Sequence, residues 1–196
     1  MQDRHEAAKR RADVRAALRI IRHRVYTRPL DDVPAGGYLP DGLSLGAVDY
    51  EYCLRHTRWS QAGAQWYRAW YEEGAQCWLG WQEHEPVFKA WVTLAPRLIT
   101  SVVPWAMQTG TPAYIFDVET RSSVRRTGLA KAFIYALMQR SRVQGVERVY
   151  VRVLPDNHPS SKVFLDLGFV CDGLLHELHV VGRRVLWHRT EVSLPR

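Results

Sequence analysis

The chain has 196 residues, enough for one domain with a self-sufficient core. Its apolar fraction of 46% and charged fraction of 24% are those of a soluble globular protein, and no apolar run nears the roughly 20 residues of a membrane span. The net charge is +7, but residues 1–28 hold nine Lys or Arg against three acids, so the basic character belongs to a leader rather than to a nucleic-acid groove in the main domain.

That leader opens with charge rather than an apolar stretch, which argues against a secretory signal. Val14, Ala17, Leu18, Ile21 and Val25 recur at helical spacing and predict a basic amphipathic helix over residues 6–25. The Pro- and Gly-rich run 29–42 reads as a loop, so residues 1–42 form a leader and 43–196 the domain. Contact of the leader with RNA, an anionic surface or an acidic partner stays open beside simple packing. Residues 43–47 predict a short strand, and 48–59 and 63–73 predict two helices. Residues 76–94 then alternate with period two and turn near His84 to Pro86, which predicts a hairpin.

Residues 95–112 read as an irregular connection carrying Pro96, Pro104 and Pro112. A strand follows in "AYIFDVET", then a turn in "RSSVRRTG", a helix near 129–143 and a strand in "RVYVRVL". "NHPSSKVFLDLGF" predicts a short helix stopped at Gly168, and two strands near 170–179 and 183–192 close the chain. This order predicts an α/β (α+β) fold, a mixed and mostly antiparallel sheet flanked by helices.

Residues 118–130 join strand to helix. A helix start offers free amides and a partial positive charge, Gly128 lets an anion approach the backbone, and Arg125 and Arg126 add charge. Thr127 offers a hydroxyl to the anion or a cap to the helix. A plain surface turn accounts for the same residues.

The run Arg125-Arg126-Thr127-Gly128-Leu129-Ala130 resembles the R/Q-x-x-G-x-G/A pattern of the GCN5-related N-acetyltransferases. Asn157, Ser160, Phe164 and Gly168-Phe169 resemble that family's second signature, N-x-x-(S/A) followed by Y/F-x-x-x-G-F. The resemblance covers about residues 43–192. It implies acetyl-CoA, or another acyl-CoA, as co-substrate and an unidentified small-molecule or peptide amine as acceptor. It implies a V-shaped opening in which pantetheine pairs with the backbone of Val118, Glu119 and Thr120. The pyrophosphate would rest on residues 125–130, with Asn157, Ser160 and Phe164 along the coenzyme arm. Many relatives place a tyrosine acid where this chain has Phe164, which leaves a catalytically silent acyl-CoA-binding module with a partner-binding leader as the alternative.

Attack on a thioester needs a neutral amine, hence a proton acceptor. Glu119 is the first candidate and Asp117 the second, both on one face of their strand by alternation; a carboxylate paired with an arginine is the competing reading for each. His158 precedes Pro159 at a helix start, a structural position as much as a basic one. His176 and His179, three apart in a strand, point to opposite faces, and Cys53, Cys77 and Cys171 are scattered, so no metal is expected. The three cysteines fit a reducing cytoplasm. The resemblance also implies that Trp66, Trp70, Trp78, Trp81 and Trp91 come from elements that wall the acceptor pocket, where they serve an apolar or cationic acceptor or ordinary core. The oligomeric state is left open, a dimer included.

Overall fold

A computed structural model describes residues 18–34, 39–59, 65–180 and 183–190. Its strands are β1 (Leu18–Pro29), β2 (Leu43–Val48), β3 (Ala75–Gln82), β4 (Glu85–Thr93), β5 (Pro112–Thr120), β6 (Arg148–Val153), β7 (Val170–Val180) and β8 (Arg183–Thr190). Its helices are α1 (Tyr50–His56), α2 (Gln65–Glu72), α3 (Pro96–Thr100), α4 (Leu129–Val143) and α5 (His158–Asp166). Short 3-10 turns lie at Ala106–Thr109 and Ser122–Val124. The strands form one eight-stranded sheet in the order β2-β3-β4-β5-β6-β1-β7-β8. Every neighbouring pair is antiparallel except β5 and β6, which run parallel because α4 crosses between them.

The expected mixed sheet flanked by helices is therefore present, with the hairpin at Glu83-His84 and α4 where helical spacing placed it. Two stretches differ. Residues 95–112, expected as an irregular connection, hold the short helix α3 and the 3-10 turn Ala106–Thr109. Residues 18–25, expected as helix, belong to β1, sixth in the sheet between β6 and β7. The helical spacing there is incidental to a β-branched and aromatic stretch, Ile20, Ile21, Val25, Tyr26 and Thr27, which suits a pleated surface with partners on both edges. Val25 and Tyr26 are adjacent and both buried, because helices cover both faces of the sheet at that point. The sheet thus begins at Leu18, not after residue 42; residues 1–17 lie outside the described residues.

On one face, α4 and α5 bury Phe133, Leu137, Met138 and Phe164 against Phe88, Ala90, Ile115, Val149 and Val151. On the other face, α1, α2 and α3 bury Cys53, Tyr67 and Leu98 against Cys77, Leu79 and Trp91. The backbone of β3 comes close to α4 at Gly80, where a Cβ would stand 2.6 Å from the Phe133 ring. Phe133 is itself stacked on Phe88 with ring centres 5.0 Å apart, so it has no room to retreat. Gly80→Ala is expected to destabilise the fold by about 1–3 kcal/mol. For a domain of this size that lowers the thermal midpoint by roughly 2–4 °C per kcal/mol, read by calorimetry. Deletion of residues 18–29 is expected to remove the cooperative transition altogether, since it opens the sheet between β6 and β7.

Candidate active site at the parting of β5 and β6

The parallel ladder between β5 and β6 is short. It pairs Pro112 to Ile115 with Arg148 to Val151 and then ends. From Phe116 onward β5 continues beside β4 alone, with Lys89 opposite Glu119 and Phe88 opposite Thr120. The β6-facing edge of Val118, Glu119 and Thr120 therefore lies past the end of that ladder, a slot that an extended chain can join as an added strand.

Just after the ladder ends, β5 carries a β-bulge. The register with β4 shifts between Lys89 and Trp91, and Asp117 takes a φ of 48°, in the left-handed region that non-glycine residues seldom enter. The bulge decides which way the carboxylates face. Plain alternation would set Asp117 and Glu119 on the face of Ala113 and Ile115, beneath α4. The extra residue reverses this: Val118 packs into the α4 core, and Asp117 and Glu119 turn together to the opposite face.

Both carboxylates meet Lys89 there. Its side chain is 0% exposed, and its Nζ lies 2.6 Å from Asp117 Oδ2 and 4.0 Å from Glu119 Oε2. Nζ also donates to the Tyr67 hydroxyl at 3.0 Å and sits 5.2 Å from that ring's centre. Burial, the largest single influence on Lys89, favours its neutral form, but the Asp117 charge and the hydrogen bonds that Nζ donates to Asp117 and Tyr67 outweigh it and hold the ammonium above its usual range. Burial pushes the Asp117 carboxyl up, against the opposing pull of Lys89, and Glu119 adds to the rise. Each carboxylate side chain stays 21% exposed, so the face turned away from Lys89 meets solvent. Lys89 and Tyr67 were not among the sequence candidates. The readable signal was a lysine alternating with apolar residues in "VFKAW", but its partner is set by the register across two strands.

The turn between β5 and α4 leaves the start of the helix open. Gly128 is the N-cap of α4 with φ of 88° and ψ of −8°, and no side chain caps the helix. A Cβ built on Gly128 meets nothing within 4 Å, so the space before the helix amides of Leu129 and Ala130 is open. Arg125, Arg126 and Thr127 are exposed, and Arg126 has φ of 68°. The Arg125 Nε donates to Thr120 O at 2.9 Å, which holds its guanidinium beside the end of β5. The Thr127 hydroxyl donates to Val124 O at 2.7 Å, so it braces the turn rather than capping the helix.

Across the opening, Asn157 is the N-cap of α5, its Oδ1 accepting from Ser160 N at 3.2 Å. Phe164 is 3% exposed, its ring edge-on to Phe169 with centres 5.2 Å apart, within the α4 core. His158 is exposed at the first turn. The aromatic residues divide between the two faces. Trp70, Trp81 and Trp91 join the cluster under α1–α3, Trp66 is 56% exposed, and Trp78 faces α4 instead, because β3 alternates. Trp70 meets Phe116 edge-on with centres 5.0 Å apart, which puts one tryptophan beside the first β5 residue past the ladder.

Solved structures with this architecture include a Drosophila protein, 13% identical, covering 92% of this chain and 57% of its own, with a TM-score of 0.59. A GCN5-related N-acetyltransferase from Kribbella flavida is 18% identical, with coverages of 89% and 64% and a TM-score of 0.55. One from Sphaerobacter thermophilus is 16% identical, with coverages of 96% and 58% and a TM-score of 0.55. The chain thus spans 57% to 64% of the length of these structures, and at such identities the likeness is one of fold. No curated protein matches the chain. The model of the acetyltransferase (GNAT) family matches residues 48–169, well over half of the 196, and the chain belongs to that family.

Proposed function

We propose that the protein transfers an acyl group, acetyl in the first instance, from acyl-CoA to a primary amine. The observation that carries this reading is the parting of β5 from β6 with an uncapped helix start at one end and a carboxylate pair at the bulge. The chain fits the coenzyme at the loop: the space beyond Gly128 is open, and Arg125 and Arg126 stand exposed beside it. The amides after Gly128 and the two guanidiniums would hold the pyrophosphate. The free edge of Val118 to Thr120 would pair with the pantetheine amides, and Asn157, with Oδ1 committed to Ser160, would offer its amide NH2.

The thioester supplies an activated acyl carbon and a thiol of pKa about 8.5, which leaves without strong assistance. Glu119 takes a proton from the amine, directly or through one water, as the N–C bond forms and the C–S bond breaks. The products are an amide and free CoA thiol, the thiolate taking its proton from solvent. Phe164 contributes shape rather than acidity, since it has no hydroxyl and its ring lies in the core. The acceptor enters from the face that carries Phe116, Trp70 and the carboxylates, where aromatic edges favour an amine on an apolar carrier.

Three measurements bear on this reading. In calorimetric titration of CoA, Gly128→Asn is expected to weaken binding at least about tenfold, because asparagine tolerates positive φ while its side chain fills the anion's space. Its thermal midpoint should stay near that of the parent, and undiminished affinity would overturn the phosphate-loop assignment. Arg125→Ala is expected to cost about 1–3 kcal/mol of CoA affinity at low salt and less at high salt. With an amine panel and thiol release as readout, Glu119→Gln is expected to slow turnover roughly 10²- to 10⁴-fold at unchanged CoA affinity. Coenzyme binding without amine-dependent thiol release in the parent would favour a silent binding module.

A further inference from the structure

The two carboxylates at the bulge are not equivalent, and the difference lies in a residue that neither family motif contains. Lys89 lies in β4 with its side chain wholly buried, yet its Nζ reaches the site. It stands 2.6 Å from Asp117 and 4.0 Å from Glu119, so one carboxylate is in hydrogen-bonded contact and the other is at the edge of an ion pair. An ammonium removed from water must be paired, and the backbone invests an unfavourable φ at Asp117 to bring the partner to it. From the remaining elements packed here, Tyr67 of α2 accepts from Nζ. Cys53 of α1 and Cys77 of β3 lie near, hydrogen-bonded to each other at 3.3 Å and within reach of the Lys89 and Asp117 charges. The bond to Cys53 and burial push the Cys77 thiol up, while the same bond pulls the Cys53 thiol down against burial, so Cys53 is the titratable thiol beside the ion pair. The ion-pair contacts of Lys89 join one cation to two carboxylates.

We infer that Lys89 is a positioning residue of the transfer reaction: it holds Asp117 in an ion pair at the bulge and thereby leaves Glu119 as the carboxylate that takes the amine's proton. This rests on the acyltransfer reading of the site. With the Lys89–Asp117 pair intact, Glu119 faces a neutral unit. Remove the cation and Glu119 faces a second carboxylate at close range, which disfavours its charged form. Remove the Asp117 charge and Lys89 is left to pair with Glu119, which favours it.

The two single substitutions must therefore move the pH dependence in opposite directions. Lys89→Met, close in length and uncharged, is expected to shift the acid limb of the kcat/KM profile to higher pH. Asp117→Asn is expected to shift it to lower pH, each by about one to three units for a charge this close. The double variant Lys89→Met/Asp117→Asn restores a neutral unit beside Glu119 and is expected to bring the limb back near the parent's. If Lys89→Met does not fold, the shift in Asp117→Asn and its reversal in the double variant still decide the matter. Limbs that stay in place while rates or stability fall would make Lys89 a structural residue only. Loss of all turnover in both Asp117 variants would make Asp117 the base and overturn the inference. The same opposite shifts are expected in the NMR titration of 13C-labelled carboxyl groups, which needs no acceptor. Opposite shifts there without turnover in the parent would overturn the acyltransfer reading alone, and absence of the shifts would overturn the role of Lys89.

Discussion

The arrangement of the site depends on a ladder that stops. Four residue pairs tie β5 to β6, and beyond Ile115 and Val151 the two strands part. Parallel pairing is slightly weaker per residue than antiparallel pairing, and β5 stays paired with β4 on both sides of the bulge while it gives up β6. The strand remains fixed on one edge and offers hydrogen-bonding groups on the other. An opening of this kind in the middle of a sheet is stable only because helices cover both faces near it.

The bulge belongs to the same event. An extra residue bends a strand and increases its local twist, and here it follows the last ladder pair by one residue. It also inverts the faces, which takes Asp117 and Glu119 out from under α4 and gives Val118 to the core. A buried lysine then becomes tolerable, because the same backbone step that costs energy at Asp117 supplies the lysine's counter-charge. The strained backbone and the buried charge account for each other.

Much of the fold was legible along the chain. Period two marked β3 and β4, helical spacing with a following Gly145 marked α4, and the turn chemistry of "RRTGLA" marked an open helix start. The helix does start there, at a left-handed Gly128 with no side-chain cap. The misreading of β1 has a plain cause: apolar residues at 18, 21 and 25 fit a helix in isolation, whereas the choice was made by β6 and β7, whose free edges needed a strand. Trp78 has the same lesson on a smaller scale, since alternation told that it opposed Leu79 but not which of them faced α4.

The amino-acid sequence by itself determined the local chemistry: which segments prefer helix or strand, where a glycine stands at a helix start, and that two carboxylates lie two apart on one strand. Those properties depend on neighbours within a few residues, so they can be read in order. Only the tertiary structure decided that β1 lies inside the sheet, that the carboxylates face away from α4, and that Lys89 binds Asp117 more closely than Glu119. Those outcomes depend on strand register and on one inserted residue, and register is set by the competition of all the strands for partners rather than by any one of them.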